Sequence, residues 1–355
     1  MKLLHVVGAR PNFPKLAPVY RAGVRAGVTQ VVVHTGQHYD EALSEGFFAS
    51  LQLPIPTHNL AVGSASHAVQ TARVMEKIEP VLLAESPDWV VVYGDVNSTV
   101  AAALVASKLG MKIAHVEAGL RSNDRSMPEE INRIVTDCLA DLLLTPSRDA
   151  HPTLRAEGVP EEKVAFVGNV MIDSLMFTLE REGIQQTPEG SWRDDGTVLV
   201  TLHRPSNVDD ATRLRGIVTA LEKIAEDRRV LFPAHPRTRA KMAEFGIDAG
   251  AVSMLDPVPY EEMLRLMTCA HVVITDSGGV QEETTALGIP CLTLRPNTER
   301  PVTVTEGTNQ LVATPEALPA LVMASVRGIG TRAPDGWDGM AGERVIAELM
   351  ARTTN

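Results

Sequence analysis

Charged and polar residues follow short apolar runs at several points in this sequence, and their side chains could perform acid–base and phosphate chemistry. The positions are Arg10, Asp95, Glu117, His203, His235 and the segment Ser277-Gly278-Gly279. Carboxylates and imidazoles transfer protons, whereas arginines and glycine-rich turns bind phosphate. Each residue alone could equally be a helix cap or a packing residue. Six such positions in one chain favour a shared binding site.

The segment His271 to Arg295 carries the strongest phosphate-binding pattern. A β-branched run leads into the turn at 276–279, and a helical stretch follows. Glycines let backbone N–H groups approach a ligand, and a helix N-terminus favours negative charge. Glu282 and Glu283, about one turn into the helix, suit ribose hydroxyls. An ordinary strand–helix corner with Ser277 as N-cap is the alternative at this point.

Several cofactor patterns are missing from the sequence. The first strand is followed by GARPNF, whereas a dinucleotide fold has GxGxxG there. Neither a Walker A pattern nor HExxH occurs, and His34 and His38 are separated by a glycine turn. We therefore expect chemistry on a phosphate-bearing ligand with no cofactor and no metal.

The elements that position these residues alternate between strand and helix, which is typical of doubly wound parallel sheets. Strands are predicted at 3–7, 31–34, 89–93, 112–116, 142–145, 164–167, 198–202, 230–233, 272–275 and 292–294. Helices are predicted at 41–51, 67–85, 100–109, from residue 128 onward and at 342–350. The fold class is α/β with two Rossmann-like domains, 1–170 and 171–341. The helix at about 342–355 is expected to pack back on the first domain.

Two further expectations concern burial. The helix from Pro128 has one apolar face, expected to be the buried one. Its members are Ile131, Ile134, Val135, Cys138, Leu139 and Leu142. The cysteines Cys138, Cys269 and Cys291 lie in apolar stretches without CxxC, so reduced core thiols are expected.

Composition restricts the class of partner. The chain has 355 residues, 44% of them hydrophobic, and a net charge of −11. The negative charge argues against nucleic acid or an anionic membrane as partner. Met1-Lys2 leads directly into a strand, and no apolar run approaches about 18 residues, so a cytoplasmic protein is expected.

The motifs together resemble those of the non-hydrolysing UDP-N-acetylglucosamine 2-epimerase family. They are GARPNFPK, TGQHYD, VYGDVNST, AHVEAGLRS, PEEINR, GNVMIDSL, TLHRPSNVD, TDSGGVQEE and TERP, all within residues 1–305. The resemblance implies a glycosyltransferase-B fold with two domains facing across a cleft. It also implies interconversion of UDP-GlcNAc and UDP-ManNAc through elimination of UDP to a 2-acetamidoglucal and its re-addition, supplying ManNAc-type sugars for cell-surface polysaccharide. A homodimer is implied as well.

The same resemblance assigns roles to individual residues. The implied catalytic residues are Asp95, Glu117, Glu129 and His203, the last acting at the leaving diphosphate. The implied ligand-binding residues are Arg10, Lys15, His235, Met263, Ser277, Gly278, Gly279, Glu283 and Arg300. Met263 stands where relatives often have an aromatic residue against the base, and GARPNFPK departs from the GTRPEAIK form. These departures leave open which substituents the sugar carries and whether UDP-GlcNAc also acts as an allosteric ligand. The resemblance does not say on which face of the sugar each carboxylate acts.

Three other functions are compatible with the fold. A glycosyltransferase would need an acceptor, and the three carboxylates of the motifs, Asp95, Glu117 and Glu129, disfavour this function. A hydrolysing relative would release UDP and free ManNAc in equal amounts. A non-catalytic nucleotide-sugar sensor would show no turnover, and the intact set of acid–base residues disfavours it.

Overall fold

The structure is a computed structural model that describes residues 1–36, 48, 51–187, 192–327 and 333–353. The motif residues 37–40, including His38, lie outside the described residues. So does the predicted helix at 41–51, apart from Phe48 and Leu51.

The described strands form two parallel sheets, of seven and six strands. The first sheet contains β1 Lys2–Val7, β2 Thr29–His34, β3 His58–Asn59, β4 Trp89–Tyr93, β5 Ile113–Val116, β6 Leu142–Thr145 and β7 Val164–Phe166. The second contains β8 Val198–Thr201, β9 Val230–Pro233, β10 Ser253–Leu255, β11 Val272–Thr275, β12 Cys291–Thr293 and β13 Asn309–Leu311. Their orders are β3-β2-β1-β4-β5-β6-β7 and β10-β9-β8-β11-β12-β13. The predicted fold class of two doubly wound parallel-sheet domains is confirmed.

Apolar runs account for the strands that the sequence predicts. Val90, Val91 and Val92 of β4 are fully buried, as expected for a strand covered on both faces. Each prediction lies within a residue or two of an observed strand. The edge strands β3, β10 and β13 are not predicted, because each has two or three residues and the pairing partner supplies most of its order.

Helices cover the connections between strands. They are α1 Phe13–Arg25, α2 His67–Glu85, α3 Asn97–Lys108, α4 Pro128–Leu139, α5 Ala150–Ala156, α6 Val170–Arg181, α7 Pro205–Val208, α8 Ala211–Ala225, α9 Pro236–Glu244, α10 Tyr260–Cys269, α11 Gly278–Leu287, α12 Val302–Thr305, α13 Leu318–Ala324 and α14 Ala341–Thr353. Short 3₁₀ turns occupy Arg10–Asn12, Glu161–Lys163 and Pro315–Ala317. No helix among the described residues has both the length and the apolar character needed to cross a membrane.

The chain divides into two compact units. Unit 1 comprises Met1–Met176 and Asp335–Asn355, and unit 2 comprises Phe177–Pro334. The last helix, α14, belongs to unit 1, where Asp173 accepts hydrogen bonds from its first two backbone amides at 3.1 and 2.7 Å. A carboxylate at a helix N-terminus satisfies N–H groups that have no partner within the helix. Asp173 therefore fixes the end of the chain to unit 1.

The orientation of α4 contradicts the prediction from its apolar face. Arg133 and Asp137 lie on the buried side, whereas Ile131 is 37% exposed and Cys138 is exposed. The prediction of three core thiols is accordingly wrong for Cys138, and Cys269 is only partly buried. The charged face of α4 lies inward because Arg133 pairs with Asp95 and Asp137 pairs with the buried His115.

Candidate active site

The candidate residues of unit 1 follow the strands at the centre of its sheet. The strand order reverses between β1 and β4, and ligands of doubly wound sheets bind where this happens. The turn after β1 leads to Lys15, the turn after β4 carries Asp95, and the turn after β5 carries Glu117. Since parallel strands end at one edge of the sheet, these side chains are brought to the same edge.

A buried ion pair joins two of the predicted residues. Lys15 Nζ lies 2.8 Å from Glu117 Oε1, and the two side chains are only 7% and 3% exposed. Gly94 has φ +60°, and a Cβ added there would lie 2.5 Å from Lys15 Nζ. Glu117 itself has φ +72°, a left-handed conformation that is costly for a residue other than glycine. Lys15 therefore lies away from solvent and forms an ion pair with the Glu117 carboxylate.

Asp95 has a cationic partner that the sequence reasoning did not single out. Arg133 Nη2 bonds to Asp95 Oδ2, and Arg133 Nη1 bonds to Glu130 Oε2 at 2.8 Å. Asn132 Nδ2 donates to the Asp95 carbonyl at 2.8 Å. Both residues belong to the quoted PEEINR motif, so the signal was present in the sequence. Arg133 is therefore the cationic partner of both Asp95 and Glu130.

Arg10 and Glu129 are less enclosed. Arg10 is exposed in the 3₁₀ turn after β1, and Glu129 is half-buried in the first turn of α4. The neighbouring Glu130 is buried, and burial raises its pKa. Hydrogen bonds from the Ser122 amide and Arg133 outweigh this, so its pKa is lowered. Glu130 thus acts as an anchor within unit 1, while Glu129 keeps access to solvent.

In unit 2 a buried carboxylate holds a histidine that follows β8. His203 Nδ1 lies 3.1 Å from Asp276 Oδ1, and Asp276 also accepts from the backbone amide of Arg204 at 2.9 Å. Burial raises the pKa of Asp276, but His203 and this amide outweigh it and hold the pKa low. An anionic Asp276 keeps a proton on Nδ1 of His203, which leaves Nε2 for a ligand. Asp276 was predicted only as part of the turn.

His235 lies beside His203, with ring centroids 5.9 Å apart. Partial burial and the His203 charge lower the pKa of His235. Its Nδ1 accepts a hydrogen bond from the Arg237 amide at 3.1 Å, capping α9. The proton of the neutral ring is therefore on Nε2, where it can be donated.

The two glycines in the turn after β11 have different surroundings. Ser277 occupies the N-cap position of α11, but its side chain makes no capping hydrogen bond. A Cβ at Gly278 would lie 2.8 Å from Arg300 Nη1 and 3.0 Å from Glu299 Oε1, whereas a Cβ at Gly279 would meet nothing within 4 Å. Gly278 is required by packing, and Gly279 faces open space at the start of the helix.

This contrast predicts opposite effects on stability. Gly278→Ala should lower the free energy of unfolding by about 1–3 kcal/mol, because Arg300 and Glu299 must move. Gly279→Ala should leave it unchanged or raise it by up to about 1 kcal/mol, since alanine favours the helix. Urea unfolding of both variants measures the difference. Equal destabilisation by the two substitutions would contradict the assignment.

Arginines and carboxylates pack beside this turn. Arg300 Nε lies 2.8 Å from Glu282 Oε1, and Arg300 Nη1 lies 2.8 Å from Glu299 Oε1. Glu299 also pairs with Arg295 at 2.8 Å. Burial raises the pKa of Glu299, but Arg300 and Arg295 outweigh it and lower the pKa strongly. Glu282 is thus paired with Arg300.

Glu283 lies buried on α11 and accepts a hydrogen bond from Tyr260 Oη at 2.6 Å. Burial raises its pKa to about 7, against the lowering effect of that bond. Met263, one helical turn after Tyr260 on α10, is half-buried. Tyr260 was not predicted, although its spacing from Met263 on one helix placed it near the same ligand group.

The described residues contain no group of three or more His, Cys, Asp and Glu side chains arranged to hold a metal ion. The two sets of residues instead combine carboxylates, histidines and a phosphate-type turn.

Comparison with known proteins assigns the family. A sequence model of the UDP-N-acetylglucosamine 2-epimerase family matches residues 22–350. The chain belongs to the UDP-N-acetylglucosamine 2-epimerase family. Its members are isomerases, and so is this chain.

Relatives match this isomerase over nearly its full length. A UDP-N-acetylglucosamine 2-epimerase of Methanocaldococcus jannaschii is 42% identical, covering 98% of this chain and 99% of its own. The crystal structure of an epimerase from that organism, in complex with UDP-GlcNAc and UDP, has a TM-score of 0.88 and covers 99% of this chain and 100% of its own. A UDP-2,3-diacetamido-2,3-dideoxy-D-glucuronate 2-epimerase of Pseudomonas aeruginosa is 43% identical, covering 99% of this chain and 100% of its own.

Proposed function

We propose that this epimerase converts UDP-GlcNAc reversibly to UDP-ManNAc. The observation that carries the proposal is the pair of carboxylates that cations hold at one edge of the first sheet: Glu117 by Lys15 and Asp95 by Arg133. A carboxylate can accept a proton from a carbon with no adjacent carbonyl, and a carboxylic acid can deliver one to it. The M. jannaschii relatives support the substrate.

The reaction proceeds in two balanced steps. A carboxylate takes the proton from C2 while the C1–O bond breaks, the electron pair leaves with UDP, and a C1=C2 double bond forms. Re-addition of UDP to C1 then accompanies protonation of C2 from the opposite face. Asp95, Glu117 and Glu129 are the acid–base groups: one takes the C2 proton as a carboxylate, another delivers its own proton from the opposite face as a carboxylic acid, and both exchange protons with solvent between turnovers.

Unit 2 holds and stabilises the leaving group. Protonated His203, whose Nδ1 faces Asp276, can donate from Nε2 to the diphosphate as its charge develops, and the Nε2 proton of His235 can do the same. The α11 N-terminus at 277–279 binds phosphate through its backbone amides. Glu283 accepts from the ribose, Met263 packs against the base, and Arg10 and Arg300 help to bind the ligand.

Incubation with UDP-GlcNAc in D2O, followed by NMR, tests the mechanism. Elimination and re-addition should place solvent deuterium at C2 of both sugars. Epimerised product without deuterium at C2 would exclude it. Stoichiometric UDP release with free ManNAc would instead show a hydrolysing enzyme, and transfer that requires an acceptor would show a glycosyltransferase.

Another relative supports a second candidate substrate, a UDP-linked diacetamido uronate. The P. aeruginosa relative is named for a diacetamido uronate, and its identity to this chain is as high as that of the M. jannaschii enzyme. The same elimination at C1 and C2 would serve that sugar, because its additional groups lie elsewhere on the ring. A panel of UDP-GlcNAc and this uronate in D2O decides between them by their kcat/KM ratio.

Glu283 predicts how ligand binding depends on pH. An ionised carboxylate can accept from two ribose hydroxyls, and with a pKa of about 7 this form dominates only above neutral pH. The affinity for UDP-GlcNAc should therefore rise from pH 6 to pH 8, by up to about tenfold per unit below the pKa. Calorimetry with the Asp95→Asn variant measures binding without turnover, and UDP-GlcNAc does not titrate in this range. Glu283→Gln should flatten the profile, and an unchanged slope in that variant would refute the role.

We also propose that the protein is a homodimer that buries the outward face of α4. The family resemblance supports this, as does the exposure of Ile131 and Cys138 on a face that the sequence predicts to be apolar. Ile131→Asp should raise the dimer dissociation constant at least about tenfold, since a charge would be buried in an apolar interface. Light scattering over a concentration series measures this, with the exposed Val326→Asp as the control. A monomeric wild-type protein would contradict the proposal.

A further inference from the structure

His115 is a fully buried histidine of β5 whose ring bridges two other segments of unit 1. Its Nδ1 lies 2.6 Å from Asp137 Oδ1 on α4, and its Nε2 lies 2.8 Å from the carbonyl oxygen of Gly94. Gly94 immediately precedes Asp95. The proposed reaction gives His115 and Asp137 no direct role, although both are buried and polar.

The hydrogen-bond partners fix where the protons are. The Gly94 oxygen can only accept, so Nε2 carries a proton. Burial raises the pKa of Asp137, but His115 and Arg121 outweigh this and the pKa is lowered. Asp137 therefore holds the ring at Nδ1, and the Gly94 carbonyl holds it at Nε2.

Asp137 extends the connection to the turn that follows Glu117. Its Oδ2 accepts from the Gly119 amide at 3.1 Å and lies 2.7 Å from Arg121 Nη2. Arg121 in turn pairs with Glu157 at 2.7 Å. Three segments thus meet at one buried pair: the turn of Asp95, the turn of Glu117, and α4, which carries Glu129 in its first turn.

The turns that carry Asp95 and Glu117 have backbone conformations that contacts with other segments must stabilise. Gly94, Glu117 and Gly119 have φ of +60°, +72° and +83°. Such conformations persist in a residue like Glu117 only where surrounding contacts enforce them. A displacement of about 1 Å at a reacting group can reduce the rate about 10²-fold.

We infer that His115 and Asp137 form a buried clamp that aligns the turns of Asp95 and Glu117 with the helix of Glu129. The inference rests on the proposed epimerase reaction, for which His115 and Asp137 are positioning residues that do not touch the substrate.

Three variants of the full chain test the clamp. His115→Gln keeps a donor for Gly94 and loses the donor to Asp137, and His115→Asn does the reverse. The matched control is His5→Gln: His5 is also fully buried, lies on β1 of the same sheet and bonds to Tyr93 Oη at 2.8 Å and Gln30 Oε1 at 3.0 Å. Thermal unfolding shows whether each variant folds.

Kinetics and amide exchange provide the readouts. His115→Gln should lower kcat roughly 10- to 100-fold with KM changed by less than about twofold, because unit 2 binds the nucleotide. His5→Gln should retain kcat within about twofold at a comparable loss of stability. Hydrogen exchange at the Gly119 amide should accelerate in His115→Gln and stay slow in His115→Asn and His5→Gln.

The outcomes separate the clamp from the proposed function. Equal losses of kcat in His115→Gln and His5→Gln, or unchanged Gly119 exchange in His115→Gln, would overturn the clamp while leaving the epimerase intact. A wild-type protein inactive on every sugar of the panel would remove the proposed function. In that case Gly119 exchange alone decides whether His115 supports the turn.

Discussion

Asp95→Asn should abolish epimerisation while nucleotide binding persists. The amide cannot take the C2 proton, and general acid–base groups contribute roughly 10²–10⁴-fold to a rate. Arg133 keeps Glu130 as a partner in the variant, so the loss of activity should exceed any loss of stability. NMR in D2O measures turnover and C2 deuteration, and calorimetry measures UDP binding.

Asp248→Asn provides the control for this experiment. Asp248 is exposed in unit 2, so the same change of a carboxylate to an amide should leave turnover within about twofold. Turnover by Asp95→Asn at the wild-type rate would remove Asp95 from the catalytic set.

Lys15→Met should have the largest effect on stability. The substitution leaves the Glu117 carboxylate buried without its ammonium partner, and removing one member of a buried ion pair costs about 3–5 kcal/mol. Activity should fall as well, because the Glu117 carboxylate loses the ammonium group that holds it in place. Urea unfolding and turnover are measured on the same preparation.

Two further variants separate the ion pair from general damage. Lys15→Met combined with Glu117→Gln removes both charges and should recover much of the stability but none of the activity. Lys241→Met breaks the more exposed pair with Glu244 and should cost at most about 1 kcal/mol. A Lys15→Met variant as stable as Lys241→Met would show that Glu117 does not depend on Lys15.

The positions of the candidate residues at strand ends could be predicted from the sequence, because a local pattern was sufficient. Asp95, Glu117, His203 and Ser277 follow apolar runs, and the carboxyl end of a parallel strand is a local property. Interactions between residues far apart in the sequence were not predicted. Arg133 was quoted within a motif without a role, and the bond from Tyr260 to Glu283 was not foreseen. Such pairs depend on which strands are neighbours, and spacing along the chain does not give that.

The helix α4 shows the limit most clearly. Periodicity correctly identifies which of its faces is apolar, and hydrophobic burial alone would turn that face inward. The structure turns Arg133 and Asp137 inward, because the half-buried Asp95 and the buried His115 are their partners. The sequence determined the two sheets, their order of strands and helices, and the residues at the strand ends, since apolar runs and turn residues act locally. Only the tertiary structure decided how Lys15, Arg133, Asp276 and Tyr260 set the charge and direction of those residues, because each interaction joins segments that are distant in the chain.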